Sequence, residues 1–247
     1  MVRGLYTAAS GMLVQSMNND VLSNNLANVD TAGFHRQTNQ VKAFPDMLIA
    51  RQFKNEHQVI GRMGTGAVVI DSKISFTPGR IQNTGNALDL AIVGTGFFAI
   101  NTSSGTCFTR DGRFTLDANG YLVNLEGNQV LGENGPIYIG DGTVEISSEG
   151  IVTVNGEIVD RLLLVEFPNQ ENLQKQGSNL YIATEEAGLP AAFQGTVIQG
   201  SLEMANVNVV KEMVNLIEVQ RTYEANAKVV QAYDEILGKA VNEIAGK

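Results

Sequence analysis

The chain has 247 residues, enough to bury a sizeable core as one large domain or two smaller ones. Aromatic residues make up 6%, Trp is absent and Gly reaches 26, a usage closer to turn-rich β structure with slender helices than to a thick-cored enzyme. A net charge of -9 with a pI near 4.7 opposes a nucleic-acid backbone or an anionic membrane surface as principal partner.

The charge is unevenly placed. Residues 36–80 hold seven bases against three acids, residues 81–200 hold fourteen acids against four bases, and the two ends are close to neutral. Cys107 stands alone, so one chain can form neither an internal disulfide nor a thiolate metal cluster. The start of the chain passes into polar residues from Gln15 to Asp20 without the apolar core of a signal peptide. No window reaches the roughly 18 apolar residues of a membrane span, so membrane insertion is not expected and export would use a route that cuts no leader.

In chain order, the first element is a helix with a stripe at Leu5, Ala8, Met12, Gln15, Asn19, Leu22, Leu26 and Val29. It stops before Gly33, because Asn28, Asp30, Thr31 and Gly33 are successive caps or breakers. Asn18, Asn19, Asn24 and Asn25 are poor helix formers, so this segment needs outside support. Residues 36–80 read as a basic, extended connector with a strand at Ala67–Ile74. From 81 to 200, short β-branched or alternating runs are cut by Asp111-Gly112, Asn119-Gly120, Gly127-Asn128, Asn134-Gly135 and Glu149-Gly150, the pattern of a small antiparallel β domain. Within it, Asn155-Gly156 joins Ile151–Val154 to Glu157–Val159 as a type I′ hairpin, and Arg161–Phe167 reads as a buried strand.

The last element is a long helix. Val209, Met213, Leu216, Gln220, Tyr223, Ala227, Val230, Asp234, Leu237, Val241 and Ile244 follow heptad-like spacing, and nine of these eleven are apolar or aromatic. Such a helix runs for about 40 residues, or roughly 60 Å, and requires a partner along its length. The N-terminal helix is that partner. The fold class is therefore mixed α and β: terminal helices from 1–35 and 201–247 pair as a coiled-coil-like stem, 36–80 connects, and 81–200 is a central antiparallel β domain. A second stripe, through Val210, Val214, Ile217, Arg221 and Glu224, gives the last helix another seam for a neighbouring molecule.

Candidate chemistry is thin. Gly94-Thr95-Gly96 lacks the third glycine and the helix of a nucleotide fingerprint and reads as a turn. Asp111, Asp117 and Asn119 lack calcium-loop spacing and its closing Glu. His35 and His57, the two histidines, sit 22 residues apart without ligand-spaced companions. No catalytic residue, metal or cofactor is expected. Gln220 and Asp234 either face a wet part of the helical seam or fix its register.

Ser23-Asn24-Asn25-Leu26-Ala27-Asn28-Val29-Asp30-Thr31-Ala32-Gly33-Phe34 resembles the N-terminal signature of bacterial flagellar rod and hook proteins. Leu88–Ile92 with Gly94-x-Gly96-Phe97-Phe98, and Thr109-Arg110-Asp111-Gly112-x-Phe114, resemble the start of that family's central domain. Gln220-Arg221-x-Tyr223-Glu224-Ala225-Asn226-Ala227-Lys228 with Asp234-Glu235 resembles its last signature, while Met204–Asn208 departs from the usual Glu-Ser-Asn-Val-Asp that precedes the last helix. The resemblance implies a distal or proximal rod subunit of the basal body. Its paired terminal helices would line an inner tube, and it would be exported unfolded by the flagellar export apparatus and assemble with copies of itself and homologous rod or hook subunits. On that basis Leu26, Asn28, Thr31, Gly33, Phe34, Gln220, Arg221, Tyr223, Glu224 and Asn226 serve assembly and folding, alongside the stripe residues Leu5, Met12, Leu22, Met213, Leu216, Val230 and Leu237. The alternative reading is a β-rich binding or adhesin module on a coiled-coil stalk.

Overall fold

Helix α1 spans Val2–Ala27 and helix α2 spans Val209–Ile244 in the computed structural model, which describes residues 2–53 and 56–244. The chain divides into two units, one made of 1–26, 37–73 and 208–247, the other of 27–36 and 74–207.

In the first unit the two helices run antiparallel. Gly4 lies against the Tyr233 ring and Gly11 against the Asn226 amide, so numbers rise along α1 as they fall along α2. A Cβ on Gly4 would stand 2.6 Å from Tyr233 Cζ, and glycine is what lets the helices close to this distance. α2 starts on a capped turn: Asn208 Oδ1 accepts from Lys211 N at 3.0 Å and Asn208 O accepts from Glu212 N at 2.9 Å. Asn208 thus performs the capping that the departure from the usual Asp had left open.

Where a single strand was expected in the connector, four form. These are β1 (Gln37–Ala43), β2 (Met47–Phe53), β3 (Glu56–Met63) and β4 (Ala67–Ile74), β1 pairing with β4 and β2 antiparallel with β3 from Met47↔Met63 to Phe53↔Glu56. Sequence period hid the other three because two-stranded ladders select no clean apolar alternation.

The asparagines of α1 find their purpose here. Asn25 is fully buried, donates from Nδ2 to Gln37 O at 2.8 Å and accepts at Oδ1 from Gln37 N at 2.9 Å, so one side chain stands in for a strand partner of β1. Asn18 Oδ1 accepts from Asn39 Nδ2 at 3.1 Å. Two of the helix-weakening residues, Asn18 and Asn25, thus attach the helix to its neighbour. Asn25→Ala removes both bonds to Gln37 and leaves half-buried backbone groups without these partners. It is expected to lower the stability of this unit by about 2 kcal/mol, read in thermal or denaturant melts, with faster hydrogen exchange at the Gln37 amide.

The second unit is antiparallel β structure around β5 (Ile81–Asn83), β6 (Leu90–Val93), β7 (Gly96–Thr102) and β8 (Gly105–Thr109). β7 is the centre of the largest sheet among the described residues: it pairs with β8, with Gln129–Val130 and with Leu164–Glu166. Phe98, Ile100, Leu122, Val152 and Leu164 share one core cluster, and Phe97, Phe108, Phe167 and Tyr181 share a second. Gly94-Thr95 is the turn from β6 into β7. The hairpin expected at Asn155-Gly156 forms between strands Ile151–Val154 and Glu157–Arg161, with φ of 53° and 85° at its two central residues. The Asp117 turn is self-sufficient, its Oδ1 accepting from Tyr121 N at 2.8 Å and Asn119 N at 2.9 Å.

Candidate assembly surfaces

The segments that follow α1 and precede α2 are joined inside the second unit. Thr31 N donates to Asn28 O at 3.1 Å, closing the turn after α1, and the Thr31 hydroxyl meets Asn28 Oδ1 at 3.3 Å. Gly33 N then donates to Glu203 O at 2.7 Å. Gly33 has φ +65° and lies on the backbone of Arg110-Asp111, so the N-terminal signature and the Thr-Arg-Asp-Gly run, read separately in the sequence, touch. Phe34 is buried beneath the Lys175 ammonium, which stands 4.3 Å from the ring centroid.

Below this junction lies an ion pair. Arg110 and Glu203 are each 2% exposed, with Nη1 and Oε2 3.2 Å apart. Arg110 Nη2 also donates to Gly94 O at 2.6 Å, the guanidinium lies over Phe97, and Glu203 Oε1 accepts from Gly79 N at 2.8 Å. Asn206 completes the clamp: its Oδ1 accepts from Arg36 N at 2.7 Å and its Nδ2 donates to Ser75 O at 2.7 Å and Thr77 O at 2.8 Å. Sequence reasoning placed Arg110 in a family motif without a role and missed Glu203 and Asn206. Their partners lie 93 to 170 residues away along the chain.

His35 sits in the same place, buried and tilted against Phe76 with ring centroids 5.0 Å apart. Burial, reinforced by the Arg110 charge, pulls its pKa from 6.5 to about 4. The unfolded chain therefore takes up a proton near pH 6.5 that the folded chain refuses until about pH 4. The stability held above pH 6.5 is lost as the pH falls through that window. Between pH 7 and pH 5 the loss from this group is about 2 kcal/mol, and the melting temperature should fall accordingly. A His35→Phe variant should lose that part of the pH dependence.

In the helical unit the expected residues divide. On α1, Leu22 is buried and Leu5, Met12 and Leu26 are half-buried. On α2, Leu216, Asn226, Val230 and Leu237 are half-buried, whereas Met213, Gln220, Arg221, Tyr223 and Glu224 are exposed. The less exposed face of α2 runs through Glu212, Leu216, Val219, Asn226, Val230, Tyr233 and Leu237. Alternate positions of the expected heptad are thus shifted by one residue, and Gln220 and Asp234 lie on the exposed side. The shift follows the approach of Gly4 and Gly11, which draws Tyr233 and Asn226 inward although one is amphipathic and the other polar.

The opposite face of α2 carries exposed Val210, Met213, Val214 and Ile217, three of which belong to the second stripe read in the sequence. α1 has an outer stripe too: Tyr6, Leu13 and Met17 are 66, 65 and 48% exposed. Sequence reading passed over these three; their spacings of seven and four were the available signal.

Among the described residues, no three His, Cys, Asp or Glu side chains gather as metal ligands, and no helix is long and apolar enough to cross a membrane. What the geometry offers is surface for association: two exposed apolar helix faces, and a joint that ties the segment after α1 to the segment before α2. That is the equipment of a structural assembly subunit.

Three families match the chain in order: "Flagella basal body rod protein" over residues 5–35, "Flagellar hook protein FlgE/F/G D1 domain" over 91–154 and "Flagellar basal body rod FlgEFG protein C-terminal" over 198–243. The chain is 37% identical to the flagellar basal-body rod protein FlgG of Borreliella burgdorferi, with 98% of each covered. It is 35% identical to FlgG of Bacillus subtilis, over 98% of this chain and 99% of that protein. Against the flagellar basal-body rod protein FlgF of Caulobacter vibrioides the identity is 32%, over 99% and 98% respectively. The chain belongs to the flagellar basal-body rod protein family.

Proposed function

We propose that this chain polymerises helically, with copies of itself and with homologous rod and hook subunits, into the hollow shaft that transmits torque through the flagellar basal body. As a member of the rod family it is a structural component of the basal body, located outside the cytoplasm, and not an enzyme. The observation that carries the polymeric reading is the two-faced α2. One face packs on α1, while Val210, Met213, Val214 and Ile217 on the other remain exposed. An apolar face of this kind is stabilised by burial against a neighbour, at about 25 cal/mol per Å² of apolar surface removed from water. Each contact is weak alone, and rigidity comes from their repetition along the shaft.

In this reading the terminal segments 1–35 and 201–247 form the inner tube, 36–80 is the connector and 81–200 the β domain. Leu5, Met12, Leu22, Leu26, Met213, Leu216, Val230 and Leu237 shape the helical surfaces, and Gln220, Arg221, Tyr223 and Glu224 lie at contacts between subunits. Passage through the flagellar export apparatus rests on membership of the family. Electron microscopy of the purified full-length chain tests the polymer directly. Helical tubes or rods are expected; closed trimers presenting an intact recognition patch would favour a binding module on a coiled-coil stalk and sink this reading.

A further inference from the structure

We propose, on the basis of the rod reading above, that the outer face of α2 in one copy docks antiparallel on the outer face of α1 in the next, with Leu13 opposite Val214 and Met17 opposite Val210. The two faces are different patches on one molecule. A contact between them is head-to-tail and leaves each copy with a free face of either kind, which is how an open helical polymer grows.

The direction follows from the helix pair itself. α1 and α2 are antiparallel within a copy. Copies related by rotation and translation along a shaft parallel to their helices keep the same polarity, so α1 of one copy and α2 of the next also run in opposite directions.

The register follows from side chains. Along α1 the exposed residues of this face are Arg3, Tyr6, Leu13 and Met17, with half-buried Ser10 between them accepting from Ala67 N through its hydroxyl; along α2 in reverse the face reads Glu224, Arg221, Ile217, Val214 and Val210. Both rows step by three, four, three and four residues, so the four exposed positions of α1 match at once and Ile217 falls beside Ser10. Arg3 then meets Glu224, opposite charges at the rim of an apolar strip, and the Tyr6 ring meets the Arg221 guanidinium. Tyr6 also finds a receptor: a shallow groove of about 410 Å³ on α2, lined by Val214, Ile217, Glu218, Arg221, Thr222 and Ala225. An aromatic knob entering a hole between successive helical turns is the packing of paired helices. The parallel alternative, which sets Met17 against Ile217 and Asp20 against Arg221, carries Tyr6 past the start of α2 at Val209 and leaves the groove without its knob.

Cysteine cross-linking in the full chain tests the pairing. In a Cys107→Ser background, Leu13→Cys with Val214→Cys is expected to give disulfide-linked dimers and longer ladders in oxidised polymer. Leu13→Cys with Val241→Cys, another exposed position on α2, is expected to give none. Arg3→Glu and Glu224→Arg should each lower the yield of polymer, and the two together should restore it. Polymers that form without the Leu13–Val214 cross-link above the Val241 control, or without rescue by the double reversal, would overturn the pairing. Absence of any polymer from the unsubstituted chain would instead overturn the rod reading on which it rests.

Discussion

Replacing Arg110 with methionine is expected to lower the stability of the β unit by about 3–5 kcal/mol, because it strands the Glu203 carboxylate in a site from which water is excluded. Both side chains are 2% exposed, so solvent screening supplies no relief. Methionine fills a similar volume and keeps apolar contact with Phe97, which isolates the effect of the lost charge. The paired variant Arg110→Met with Glu203→Gln should recover much of the loss. Glutamine still offers an oxygen to Gly79 N, now 2.8 Å from Glu203 Oε1, and no longer brings a charge into the core. Urea denaturation of the single and double variants measures both numbers. A single variant within about 1 kcal/mol of the parent would show that water reaches the pair and that the junction is looser than its geometry indicates. The consequence for assembly is direct. Glu203 O also receives Gly33 N at 2.7 Å, so the ion pair supports the link between the segment leaving α1 and the segment entering α2. Loss of that link leaves α1 and α2 held to each other by their own packing alone.

The degree to which this architecture is legible in the sequence depends on whether a feature is local. The hairpin at Asn155-Gly156 is legible because its two positive φ angles demand those residues wherever the turn sits. The two terminal helices are legible from their period, and so is the presence of a second seam on α2. The phase of α2 is not. Apolar residues lie all along both faces, and the choice between them is made by Gly4 and Gly11 on another helix. Strands β1 to β3 escaped for a related reason. The partner for Gln37 is a side chain, Asn25, and no strand alternation records that arrangement. Two of the asparagines that lower helix propensity, Asn18 and Asn25, are attachment points, so there a local conflict in the sequence marked a tertiary contact. At the junction, Thr31, Gly33 and Phe34 were legible as a family signature, and the physical reason for Gly33 became visible only where the Arg110-Asp111 backbone crosses it.

That crossing yields the second large effect. Gly33→Ala is expected to destabilise the β unit by about 2–5 kcal/mol and to abolish swimming in cells that carry it as their sole copy. Two costs combine. A side chain at φ +65° is disfavoured by roughly 1–2 kcal/mol. The new Cβ would also stand 2.3 Å from Asp111 N and 2.4 Å from Arg110 C, backbone atoms that rotamer changes cannot move, and relieving such overpacking costs about 1–3 kcal/mol more. Gly156→Ala separates the two terms. Gly156 has φ +85° but nothing within 4 Å of its added Cβ, so it carries the conformational cost alone, about 1–2 kcal/mol. Denaturant midpoints of the two variants, compared at equal slope, should therefore differ by the close approach only. If they coincide, Gly33 is required for its backbone angle and the Arg110-Asp111 backbone yields. If Gly33→Ala is much the worse, the glycine is there so that the residues after α1 can lie flat on that backbone and reach Glu203.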